Sequence, residues 1–87
     1  MRVTMVKKRL LSGEECPKCI EATAFLAGKG VLDQIAEVVW FDETVPGGGP
    51  GGALADAHAM ARAPFFLVER QGRVEAIDSV MRVYKLL

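Results

Sequence analysis

The chain has 87 residues, 51% of them hydrophobic, and its 11 Lys plus Arg balance 11 Asp plus Glu, so the formal net charge is zero. This length makes a single domain, residues 1–87, which buries about 60% of the surface that its unfolded form exposes. The charge balance leaves no basic field for a nucleic acid and no acidic tail, and no apolar run is long enough to cross a bilayer.

In chain order, Arg2–Val6 (RVTMV) is rich in β-prone residues and reads as a first strand. Ser12 and Gly13 mark a turn within KKRLLSGEE. A helical pattern starts at or just after Cys16, where Pro17 suits a first turn whose N–H has no partner. Ile20, Ala24 and Ala27 recur at helical spacing, Phe25 and Leu26 widen that stripe, and Gly28 and Gly30 end it. VLDQI adds a further helical turn.

Glu37–Phe41 (EVVWF) reads as a buried strand. Pro46–Gly52 (PGGGPGG) reads as a mobile loop; it lacks the Gly-Lys-Ser/Thr ending of a phosphate-binding loop. The Ala-rich segment Ala53–Arg62 is expected to be a second helix. PFFLVE is a central strand covered on both faces, RQGR a turn, VEAI its hairpin partner, and VMRVYKLL a last helix capped by Asp78 or Ser79. The order β-α-β-α-β-β-α implies an α/β fold. Parallel strands come first and an antiparallel hairpin follows, together a mixed four-stranded sheet flanked by helices.

Both cysteines lie in EECPKCIEA, as Cys16 and Cys19. Two cysteines are too few for the disulfide scaffold of a small secreted protein, and MRVTMVKKRLL carries no continuous apolar export signal and no lipidation motif. The expected compartment is the cytoplasm, where a close pair of thiols is catalytic or metal-binding. The unpaired amides of a first helical turn favour a thiolate, Lys18 adds positive charge, and Lys7, Lys8 and Arg9 can approach from the preceding loop. Against them stand Glu14 and Glu15, read as exposed and screened by salt. The spacing makes Cys16 the attacking nucleophile at the open end of the helix, and Cys19, one turn further in, the resolving thiol.

Two alternatives use the same residues: a zinc or iron–sulfur carrier shared across a dimer through Cys16 and Cys19, and an interaction module without catalysis. A complete tetrahedral metal site needs four ligands, and the chain adds only the distant His58. His58, Trp40, Phe41 and Tyr84 read as structural residues. Phe65 and Phe66 alternate, one facing the cysteine helix and the other the opposite layer.

Cys-Pro-x-Cys at the start of the first helix, Pro64 in APFFLVE before the third strand, and the order of elements together resemble the glutaredoxin branch of the thioredoxin fold, over nearly the whole chain. The resemblance implies a thiol–disulfide oxidoreductase in which Cys16 attacks, Cys19 resolves and Pro64 is cis beside them. Pro17, Lys18, Ala63 and Pro64 would bind substrate, the Ala63 backbone pairing with an extended segment. It further implies a monomer with no bound cofactor, a disulfide-containing protein as substrate, and glutathione or another dithiol reductant upstream. The sequence differs from that family's pattern in a longer loop before Cys16, in Ala63 where Val is frequent, and in VEAIDSVMR, which has no Gly-Gly pair after the last strand.

Overall fold

The computed structural model describes residues 1–87. Strand β1 runs from Arg2 to Arg9, helix α1 from Pro17 to Gly28, β2 from Glu37 to Asp42, α2 from Gly49 to Ala57, β3 from Phe65 to Arg70, β4 from Arg73 to Ile77 and α3 from Val80 to Leu86. Short 3-10 turns at Leu32–Gln34 and Pro46–Gly48 precede β2 and α2. The four strands form one mixed sheet in the order β2-β1-β3-β4, with β1 and β2 parallel and the other two pairings antiparallel. No helix is long and apolar enough to cross a membrane.

The pleat sends alternate side chains to opposite faces. Val3, Met5, Phe66, Val68 and Ile77 pack against Ala22 and Leu26 of α1 and Val83 of α3. Val6, Phe65 and Leu67 pack against Ala55 of α2. Helices α1 and α3 therefore cover one face and α2 the other, and Phe65 and Phe66 divide between the layers as their alternation requires. β3 is central, with its first four residues buried. Ser79 caps α3, its hydroxyl accepting from the Arg82 N–H at 3.3 Å.

Several sequence expectations need correction. β1 continues three residues beyond Val6, because Lys7, Lys8 and Arg9 pair in register with Trp40, Phe41 and Asp42. β2 is not a buried strand. It lies at the sheet edge, none of its six residues is fully buried, and Val38 is 45% exposed. Its Phe41 packs toward α2, while Trp40 lies between Lys7 and Arg9, whose charged groups stand 5.0 and 4.7 Å from the ring centre. Cation–π contact, rather than core packing, accounts for this tryptophan.

On α1 the inward stripe is Cys19, Ala22 and Leu26; Ile20, Ala24 and Ala27 point outward. Both sets have helical spacing, so periodicity alone does not say which of them faces the sheet.

The largest correction concerns Pro46–Gly52. It is not a mobile loop: it forms the turn before α2 and the first turn of α2 itself. The helix reads Gly49–Ala57 rather than Ala53–Arg62, and it closes with the Met60 N–H on the Ala55 carbonyl at 2.9 Å and Ala59 in the left-handed region. Gly51 and Gly52 are buried. A Cβ on Gly51 would overlap the backbone of Trp40 and Phe41, and one on Gly52 would overlap the Gly47 carbonyl. The glycines let α2 lie directly on the β2 backbone.

Candidate functional site

The site starts from β1. The Val3 carbonyl accepts from the Ala36 N–H at 2.8 Å and the Arg9 carbonyl accepts from the Glu43 N–H at 2.9 Å, so odd-numbered β1 residues direct their peptide groups toward β2. By alternation, Lys8 directs its peptide groups toward β3. β3 reaches only as far as Phe65, opposite Val6. Pro64, the preceding residue, has no N–H to extend the ladder.

The start of α1 occupies that open position. The Cys16 N–H donates to the Lys8 carbonyl at 2.9 Å, and the Lys8 N–H donates to Cys19 Sγ at 3.3 Å. Cys16 sits at the N-cap of α1, followed by Pro17 in the first turn, and its carbonyl accepts from the N–H groups of Cys19 and Ile20 at 2.9 and 3.1 Å. No side chain caps this helix end. The Thr23 hydroxyl holds the Cys19 carbonyl at 2.9 Å.

Both thiols are free; Cys16 is half-buried and Cys19 fully buried. Burial pushes the Cys19 thiol up to about 11, with Cys16 and the Glu15 carboxylate acting in the same direction, while the Lys8 N–H pulls it down. One thiol is open to a reaction partner and the other waits behind it, protonated at neutral pH.

The neighbouring charges differ from the sequence reading. Lys7, Lys8 and Arg9 are strand residues engaged with their own partners: Lys7 with Glu15 at 2.8 Å, Lys8 with Glu43 at 3.9 Å and Arg9 with Asp42 at 3.7 Å. The Glu15 carboxylate is not an exposed, screened group. Its Oε2 is sealed from solvent and held by the Lys7 charge without a directed hydrogen bond.

Of the four expected substrate-binding residues, Lys18, Ala63 and Pro64 line one groove, whereas Pro17, the first residue of α1, does not line it. The Ala63–Pro64 peptide bond is cis. A groove of 160 Å3 is lined by Lys18, Arg62, Ala63, Pro64 and Asp78, and a contiguous one of 420 Å3 extends from Lys18, Pro64 and Asp78 along Glu21 and Phe25 of α1. Neither the N–H nor the carbonyl of Ala63 bonds within the chain. Lys18, Arg62 and Asp78 take part in no ion pair. Sequence reasoning missed Arg62 as a lining residue. Its one available signal was its position two residues before Pro64. No group of three or more His, Cys, Asp or Glu stands close enough to hold a metal ion, so a shared metal centre would need ligands from a second chain.

The raised Cys19 thiol links stability to alkaline pH. A thiol held protonated by the fold contributes fully below its unfolded value of 9.0, and that contribution is lost as pH rises toward about 11. Reduced protein should lose about 2 kcal/mol of stability over this window through Cys19 alone. Urea unfolding of the wild type and of Cys19→Ala at pH 8 and 11 isolates this loss. Equal losses in the two proteins would show that the fold does not hold Cys19 protonated.

No protein-family model matches the chain, and no curated protein or solved structure matches it significantly.

Proposed function

We propose that this protein is a thiol–disulfide oxidoreductase with a thioredoxin-like fold of the glutaredoxin type, reducing protein or mixed disulfides through Cys16 and Cys19. The observation that carries the reading is the pairing of an accessible thiol at a helix start with a buried thiol one turn behind it, while Lys18 between them shares a groove with Ala63, whose peptide groups have no partner in the chain.

In the first step the Cys16 sulfur attacks one sulfur of the substrate disulfide. The substrate S–S bond breaks, and the departing sulfur takes the electron pair and a proton. In the second step the Cys19 sulfur gives up its proton and attacks Cys16 Sγ, releasing the other substrate sulfur as a thiol and leaving Cys16 and Cys19 joined. Two electrons from an external thiol reductant restore the pair.

The bare amide edge of Ala63 suits an extended substrate segment added as a short strand. Lys18 and Arg62 suit carboxylates and Asp78 suits an ammonium, so the groove matches a zwitterionic thiol such as glutathione as the upstream reductant.

A peptide carrying a glutathione mixed disulfide, with glutathione as reductant, tests the proposal. The wild type should accelerate its reduction well above the uncatalysed rate, and Cys16→Ser should return it to background. Wild-type protein with two free thiols that gives only the background rate would refute the reading.

A further inference from the structure

The mechanism above leaves one difficulty. Cys19 must become a nucleophile, yet it lies in the core, where burial, Cys16 and Glu15 all oppose its ionisation. The Lys7 ammonium does not relieve this, being engaged by Glu15, and the Lys8 ammonium lies over the Phe41 ring at 5.0 Å and toward Glu43. The group directed at the sulfur is a backbone amide.

We propose that the Lys8 N–H is the positioning group for the resolving sulfur, holding Cys19 Sγ behind Cys16 and stabilising the charge that it carries when it attacks. The geometry rests on two bonds from one residue. The Lys8 carbonyl fixes the Cys16 N–H at 2.9 Å, and the Lys8 N–H fixes Cys19 Sγ at 3.3 Å, so a single peptide position of β1 ties both ends of the Cys-Pro-Lys-Cys turn to the sheet. The donor is available because β3 stops opposite Val6, leaving the β3-facing side of Lys8 without a strand partner. A backbone N–H in a sheet cannot swing away, so it constrains the sulfur more tightly than a mobile side chain would. It also favours the ionised form, because a hydrogen bond to a charged acceptor is stronger than one to a neutral acceptor. The Lys8 ammonium has no part in this role.

The role in disulfide exchange rests on the proposed function; the effect on Cys19 ionisation does not, and the experiment separates the two. Chemical synthesis of the chain with an ester in place of the Lys7–Lys8 amide removes this N–H, besides weakening the Lys7 carbonyl as an acceptor on the β2 side, and Lys8→Ala retains it. Cys19 ionisation is measured on the Cys16→Ser background. The ester should raise its midpoint by about one pH unit, and Lys8→Ala should leave it in place.

With both cysteines present, Cys16 is first joined to thionitrobenzoate, and release of the coloured thiolate is followed. There the Cys19–Cys16 bond forms as the Cys16–thionitrobenzoate bond breaks, the electron pair leaves on the aromatic sulfur, and the Cys19 proton passes to solvent. Release should slow about threefold at neutral pH, a tenfold loss of thiolate being partly offset by its greater nucleophilicity. In the unmodified protein the Lys8 amide proton should move downfield with the Cys19 midpoint, a measurement independent of whether the ester folds. An ester protein of unchanged circular dichroism and unchanged Cys19 midpoint, or a Lys8 amide proton that ignores that midpoint, overturns the proposal. Altered ionisation without any turnover of disulfide substrates would leave it standing and remove the proposed function instead.

Discussion

Gly51→Ala is expected to destabilise the protein by about 3 kcal/mol or more, the opposite sign to the usual effect of replacing a helical glycine by alanine. The added methyl would meet the Phe41 backbone nitrogen and the Trp40 carbonyl. These are main-chain atoms of β2, and no rotamer change moves them. Relief requires α2 to lift from the strand that carries most of its packing, withdrawing Ala55 from its cluster with Val6, Phe65 and Leu67. Gly28→Ala is the matched control. This residue also lies in a helix, with nothing within 4 Å of the added carbon, and should be stabilised by about 0.5–1 kcal/mol. Urea midpoints of the two variants make the comparison. A Gly51→Ala protein within 1 kcal/mol of wild type would show that α2 does not rest on β2 as described.

The two cysteine substitutions should fail at different points. In Cys16→Ser the remaining thiol is fully buried and protonated at neutral pH, so no adduct with a disulfide substrate should form. In Cys19→Ser the accessible sulfur remains but nothing behind it can displace the substrate. The protein should therefore accumulate as one covalent adduct per chain, with turnover of a protein disulfide lost by orders of magnitude. Intact-mass spectrometry after mixing with a disulfide peptide distinguishes the two. An adduct of Cys16→Ser as abundant as that of Cys19→Ser would reverse the assigned roles and end the mechanism as written.

The sequence foretold the order of elements, the helix start at Cys-Pro-Lys-Cys, the buried β3 and a cap on the last helix at Asp78 or Ser79, of which the structure uses Ser79, because each rests on local chemistry: a proline in a first turn, a run of apolar residues, a short polar side chain before a helix. What it obscured depends on contacts between distant residues. Glycine is a poor helix former, so Pro46–Gly52 reads as a mobile loop. Only the approach of α2 to Trp40 and Phe41 turns those residues into a packing requirement. Apolar residues on α1 form two stripes, and the sheet selects the one containing Cys19, Ala22 and Leu26. The contribution of Lys8 has no signature in the residue type, since every residue except proline carries the same N–H. Glu15 reads as solvated because its burial comes from Lys7, eight positions away and on another element.

The two faces of the sheet are unequally furnished. Eight fully buried residues join β-strands to α1 and α3, against four on the side of α2. Free energies of local opening follow such differences. The α2 layer is therefore the weaker cooperative unit, able to detach and return while the rest of the molecule stays assembled. Cys16 and Cys19 belong to the sturdier half, anchored to β1, so a fluctuation that exposes the α2 side of the sheet leaves the spacing of the two sulfurs intact.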